Sequence, residues 1–316
     1  MRQARRGAAS RLVGYILVMA AAVMFGINGS LSRLLFNSGV TPLTLVEFRM
    51  IVGGICLLGY LLVRQRHTLK LSRRALGWLI AFGLVVALVT YTYYVSISRI
   101  PIAVTLVIQF TGPAWMALVG AIWRKSMPSW YVLGALGLTI GGVVLVTGAW
   151  QQNVLGLDGV GLLFAVFALL TFIAYLMLGR QVGKYLPSTT GTAYGAIIAS
   201  LFWLVVQPPW SIPASTWHPQ TLALILLVGI IGMALPFSLE LAALRRLEAT
   251  HVGIVSMFEL PASALIALFW LGQSLDLWQV LGCVLVLAGV TIVQLERDQS
   301  GERAEKIPQK HLSQRP

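Results

Sequence analysis

Apolar residues run along this chain in stretches of membrane-spanning length, separated by short polar breaks. A helix that crosses a bilayer needs about 20 predominantly apolar residues. By that measure the pattern predicts ten transmembrane helices, at 12–35, 42–63, 76–97, 101–123, 130–148, 159–178, 189–206, 220–241, 250–271 and 277–294. The segment 150–158 reads as a short polar link between the fifth and sixth. The longest loop, 208–219, holds four prolines and two tryptophans but no Lys or Arg. Residues 297–316 form a polar tail of mixed charge, expected to be disordered.

The pattern repeats. Shifted by 148 positions, 104–146 falls on 252–294 without a gap. Val107 meets Val255, Phe110 meets Phe258, Pro113 meets Pro261, Ser126 meets Ser274, Trp130 meets Trp278 and Gly141 meets Gly289. At an offset of 147, Gly14, Ala21, Phe25 and Arg33 meet Gly161, Ala168, Phe172 and Arg180. Leu, Val, Ala and Gly match between any two membrane helices, but Pro, Trp and Ser agreeing in one register do not. The expected domains are therefore a first repeat at 12–148 and a second at 159–294. Each has five helices, an odd number, so equivalent helices run in opposite directions. Inverted repeats of this kind are typical of secondary transporters.

Composition agrees: 58% of residues are hydrophobic, 10% are charged, and mean hydropathy is +0.83. Soluble domains carry about a quarter charged residues, so this is an all-α integral membrane protein. The net charge of +13 does not form a nucleic-acid patch, because the basic residues sit in short clusters between apolar runs. Such clusters mark cytoplasmic loops. With both termini in the cytoplasm, the inner segments collect all but Arg33, Arg49 and Arg99 of the 23 Lys and Arg residues. Arg2, Arg5 and Arg6 precede an apolar run as in a signal peptide, but that run is too long and has a counterpart in the second half, so it reads as a retained helix. Cys56 and Cys283 lie inside apolar runs and imply neither disulfide nor metal.

No cluster with metal spacing, no phosphate loop and no nucleophile motif is present, so no enzyme, metal or cofactor is expected. Ionisable groups inside spans are informative, because they are costly in hydrocarbon and mark cavities. Glu259 lies two residues before Pro261, and Ser256, Glu259 and Ser263 share one stripe of the ninth helix. Glu259 is either a substrate or proton-coupling group or a cap on the proline distortion. Glu47 and Arg49 point to different sides of the second helix. Arg49 suits a substrate carboxylate or a buried ion pair. Glu47, near the outer end, is expected to snorkel towards water. Glu240, one turn after Pro236 near the cytoplasmic end, reads as structural, and His251 as a packed histidine.

Uncharged polar residues add to the set. Asn28 and Ser32 share a face of the first helix, Tyr91 and Tyr94 of the third, Thr105, Gln109 and Pro113 of the fourth, and Thr171 and Tyr175 of the sixth. Asn28, Arg49, Tyr94, Gln109, Tyr175 and Glu259 are the expected substrate or coupling residues, and Pro113 and Pro261 the expected hinges. Trp123, Trp130, Trp150, Trp210 and Trp217 suit an interfacial belt. Gly134, Gly141 and Gly148, with Gly282 and Gly289, read as seams for close helix packing.

These features resemble the drug/metabolite transporter superfamily, EamA type, across nearly the whole chain. The stretches Leu235–Glu240, Ala243–Leu247 and Phe258–Pro261 are similar to the homoserine/threonine exporter branch, although Leu260 separates Glu259 from Pro261 where that branch usually has Glu-Pro. Arg49 and Gly112-Pro113 match the usual first half. The resemblance implies export of amino acids or related small metabolites across the bacterial inner membrane, driven by protons, by a monomer or homodimer surrounded by lipid. The alternatives are a nucleotide-sugar or phosphate-ester antiporter, which would need more cavity cations than Arg49, or drug efflux.

Overall fold

The computed structural model of the chain describes residues 2–100, 102–124, 128–149, 156–271 and 276–305. Lys125, Trp150, the Ser126/Ser274 pair and tail residues 306–316 lie outside it. Every regular element among the described residues is helical. In order they are α1 (Arg2–Asn37), α2 (Pro42–Arg64), α3 (Arg73–Arg99), α4 (Ile102–Phe110), α5 (Gly112–Arg124), α6 (Trp130–Thr147), α7 (Gly159–Tyr185), α8 (Ser188–Val206), α9 (Pro219–Gly229), a π-helical turn (Ile230–Ala234), α10 (Leu235–Leu244), α11 (Ala249–Ser256), α12 (Glu259–Leu271) and α13 (Leu277–Glu305). Eight stretches are long and apolar enough to cross a membrane, and Val104–Gly120 and Leu277–Ile292 are shorter apolar helices. Together they make the ten crossings of an all-α membrane protein.

Several helices begin where the sequence supplies a cap. Thr41 accepts from the Thr44 N–H with Pro42 in first position, Ser72 accepts from Ala75, Ser129 from Tyr131 and Asp158 from Val160. Gly148 ends α6 with φ of 63°, in the left-handed region that glycine tolerates.

The halves interlock rather than sit side by side. α6 packs along α13, α3 along α7 and α2 along α8, while α1 crosses α10 and α12. The α6–α13 contact is a backbone approach: a methyl group on Gly142 would lie 2.6 Å from the Gly282 carbonyl, and one on Gly289 2.7 Å from the Ala135 carbonyl. Small residues permit such approaches in lipid. On α6, however, the seam is one residue away from the expected one. Gly134 and Gly141 face open space, and Gly148 is a cap.

The structure corrects four further expectations. The fourth and ninth spans are not continuous: α4 gives way to α5 at Thr111, and α11 to α12 at Met257–Phe258. Each break falls just before the repeated proline, which has no N–H to continue the ladder. The remaining bonds tighten instead, Thr111 N–H to Ile108 and Leu260 N–H to Met257. Consequently Ser256, Glu259 and Ser263 do not share one unbroken helix. The tail continues α13 to Glu305 before leaving the described residues, since no proline or paired glycine interrupts 295–305. Lastly, Glu47 does not snorkel; it is fully buried.

Candidate functional site

A cavity of about 900 Å³, including space open to solvent, lies between the two halves. It takes residues from α1, α2, α3, α4, α7, α10, α11 and α12. Asn28, Arg49, Tyr94, Gln109, Tyr175 and Glu259 all line it, although they come from six different spans. The expected partners Tyr91, Thr105 and Thr171 do not. Tyr91 packs on Trp203, Thr105 bonds Ser96, and Thr171 bonds Thr92.

One wall is built around Arg49. Its Nη1 donates to the Tyr94 hydroxyl at 2.8 Å, which is bonded to Ser32 at 3.0 Å. Its Nη2 donates to the carbonyl of Gly232, inside the π-helical turn. That carbonyl is available for a local reason: its α-helical partner four residues on is Pro236, which has no N–H. Arg49 also lies 5.8 Å from the Tyr94 ring centroid and 6.0 Å from that of Phe237, within cation–π range. Among the described residues its Nε has no partner, and neither does the buried Asn28 Oδ1 or Gln109 Oε1. Polar atoms left open around a cavity are acceptors and donors for whatever enters it.

The lining also carries two acidic groups. Glu240 is held at both oxygens, by Tyr175 Oη at 3.0 Å and Ser256 Oγ at 2.8 Å. Sequence reasoning gave it a structural role near the cytoplasmic end; instead it lines the cavity. Glu259 is part-buried at the start of α12, and its carboxylate has no hydrogen-bond partner among the described residues. Both Arg49 and Glu240 act on it through space. Ser263 donates to the Glu259 carbonyl, one of those near the break before Pro261. His251 lies outside the cavity, buried beside the Tyr15 hydroxyl.

The lining is also aromatic. Phe25, Tyr175 and Phe237 make edge-on pairs at 5.4 Å, and Phe110 meets Phe172 at 6.3 Å. Phe25 and Phe172 are equivalent positions of the two repeats, so the cavity keeps a trace of the internal symmetry. These phenylalanines escaped selection because apolar residues in membrane helices carry no individual signal.

The cavity lies towards the ends of the helices where α1 and α3 finish. α3 contributes Val89 to Ile97, and α1 contributes Phe25 to Ser32. Past Tyr175 and Glu240 the chain is closely packed. Gly179 abuts Leu244, Gly191 abuts Leu241, and Gly253 receives Pro113 and Leu176.

Residues 12–148 and 159–295 each match the EamA-like transporter family. The chain belongs to that family. Among EamA relatives, it is 29% identical to the threonine/homoserine exporter RhtA of Escherichia coli K12, over 86% of this chain and 88% of that protein. It is 27% identical to the uncharacterized inner membrane transporter YicL of Salmonella typhimurium, over 90% of this chain and 95% of that one. A solved crystal structure with 15% sequence identity superposes with a TM-score of 0.72, covering 92% of this chain and 98% of the other. That likeness bears on the fold alone.

Proposed function

We propose that this EamA protein exports a small neutral amino acid, of the threonine or homoserine class, across the bacterial inner membrane. The observation that carries the reading is the charge content of the cavity: one arginine and two carboxylates among its lining residues. A zwitterion matches that content. Its carboxylate meets Arg49, and its ammonium meets Glu259, with Glu240 behind it and the open amide oxygens of Asn28 and Gln109 as further acceptors. The phenylalanines accept a short aliphatic side chain. RhtA, a threonine/homoserine exporter, points the same way. A phosphate ester would need several cations, and Arg49 is the only Lys or Arg among the described lining residues.

With the basic clusters placed in the cytoplasm, the ends of α1 and α3 are outside, and the cavity seen here opens outward. Export then proceeds by alternating access: the halves rock about the breaks at Pro113 and Pro261 to expose the site inside, load substrate and return. Glu259 is the coupling group. Protonation from outside cancels its charge and releases the ammonium; the proton leaves inside and the carboxylate takes the next substrate. Counterflow in proteoliposomes tests this with threonine, homoserine, serine and lysine. Arg49→Gln is expected to abolish uptake of all of them, and Glu259→Gln to keep exchange but abolish accumulation driven by a proton gradient. Wild-type accumulation by both variants would refute the assignment.

A further inference from the structure

Glu47 is a carboxyl group buried inside a membrane protein with neither oxygen hydrogen-bonded among the described residues, and it does not line the cavity. Three further polar side chains close to the same end of the bundle lack partners among the described residues: the Trp203 indole nitrogen, the Gln207 amide oxygen and the Thr216 hydroxyl. Trp203 is on α8, the helix that packs along α2, and Gln207 caps its end. Thr216 lies in the loop before α9, next to Trp217, whose ring meets Phe48 of α2.

The register of that packing brings Glu47, Trp203 and Gln207 together. A methyl group on Gly54 of α2 would lie 3.4 Å from Ala196 of α8. Ten residues outward on α2, Thr44 accepts from Gln207 Nε2 at 3.0 Å, eleven residues outward on α8. Glu47 is two turns from Gly54 on the same face, and Trp203 is two turns from Ala196 on the same face. Glu47 is therefore level with Trp203, three residues below Thr44 and its bond to Gln207.

The orphan groups complement one another once a single proton is added. A carboxylic acid has one O–H donor and a carbonyl acceptor, whereas a carboxylate only accepts. None of these orphan atoms is bonded in the structure; a turn of the side chains lets the acid form complete a chain, Trp203 N–H to the Glu47 carbonyl and Glu47 O–H to the Gln207 oxygen, beside the existing Gln207 N–H to Thr44. The ionised form leaves the Gln207 oxygen bare, or requires its amide to turn over, and in either case isolates a charge. Among the described side chains no counter-ion is bonded to it. α8, α9 and the π-helical turn contain no Asp, Glu, Lys, Arg or His. On α3, Arg99 pairs with Asp158, Arg73 and Arg74 are at the other end, Tyr91 packs on Trp203, and Tyr94 bonds Arg49. Tyr93 faces the cavity, His218 precedes α9 in the loop, and Arg49 is committed to Gly232. Arg33 of α1 serves as a control below. An unpaired buried charge costs far more than a satisfied neutral group.

We propose that Glu47, Trp203 and Gln207 form a proton-binding site between α2 and α8, distinct from the cavity, whose bonds close when Glu47 takes up a proton. α2 belongs to the first half and α8 to the second. The bonded acid ties the halves together while the cavity is open at this end. Separation of the two helices wets Glu47, the proton passes to water, and the carboxylate it leaves is hydrated. The tie to access rests on the alternating-access reading above; the proton site itself does not.

Infrared difference spectra of the purified full-length protein in lipid report protonated carboxyl groups by their C=O band, without substrate. The wild type is expected to show such a band that is lost in Glu47→Gln, shifted in Trp203→Phe, and unchanged in Arg33→Gln. Trp203→Phe removes one N–H only, so it stays informative if Glu47→Gln fails to fold. Access is read separately, by an impermeant thiol reagent on Thr90→Cys in a background lacking Cys56 and Cys283. Its labelling is expected to fall as pH rises, relative to the same protein carrying Glu47→Gln, in which that fall is lost. A wild type without the band, or a band unmoved by both variants, overturns the proton site. A band that behaves as expected while labelling stays identical in the two proteins upholds the site and overturns its link to access. Neither readout depends on which substrate is carried, so failure of amino-acid counterflow is a separate result.

Discussion

The guanidinium of Arg49 donates to the backbone carbonyl of Gly232 in the opposite half of the molecule. A proline four residues further on makes that bond possible, because Pro236 supplies no competing N–H. Pro236→Ala restores the donor and returns Gly232 to its own helix. Substrate affinity is expected to fall about tenfold while folded yield is kept, in line with roughly 1.5 kcal/mol for a hydrogen bond to a charged group. Isothermal titration with the transported amino acid measures it. Unchanged affinity would mean that Arg49 needs no anchor there.

The helix breaks before Pro113 and Pro261 are the second test. Replacing either by Ala allows α4 to run into α5, or α11 into α12. Transport is expected to slow in each variant, with equilibrium binding preserved, because the bend is needed for movement rather than for contact. Rates equal to wild type in both would leave the breaks without a part in the cycle.

Legibility in the sequence followed cost. Asn28, Arg49, Tyr94, Gln109, Tyr175 and Glu259 stood out because polar groups in hydrocarbon are expensive, and the structure lines one cavity with all six. Depth was misjudged where it was inferred from distance to a helix end. Glu240 counted as near the cytoplasm, yet Tyr175 and Ser256 hold it at the cavity. Glu47 counted as near water, yet α8 buries it. The π-helical turn gave no signal, since one extra residue in a turn changes no composition. The glycine seam was missed by one position on α6, because a seven-residue spacing fixes a face but not which neighbour it meets.

That seam offers a paired comparison. Gly142→Val forces a side chain against the Gly282 backbone and is expected to cost about 1–3 kcal/mol, read as a lower thermal midpoint. Gly141→Ala, one residue along, projects into open space and is expected to be neutral or stabilising by up to about 1 kcal/mol. Equal destabilisation by the two would displace the seam from Gly142.

Outside the bilayer, Asp158 caps α7 by accepting from the Val160 N–H and pairs with Arg99 at 3.2 Å. The capping bond first, and Arg99 second, hold its carboxyl below its ordinary value. A depressed value in the folded state means stability that is full at neutral pH and is lost as pH falls through that lowered value, below about pH 4. Thermal midpoints should therefore decline on acidification more steeply in wild type than in Asp158→Asn. Parallel profiles would remove the cap from the acid response.

The α6–α13 seam contributes no described residue to the cavity wall, and the wall contributes none to the seam. Cohesion and selectivity thus reside in separate sets of side chains. Free-energy effects at such separated sites add. A library that varies Phe25, Gln109, Phe172 and Phe237 to change what is carried can therefore be built on a seam reinforced beforehand, with each gain in stability widening the range of cavities the protein tolerates.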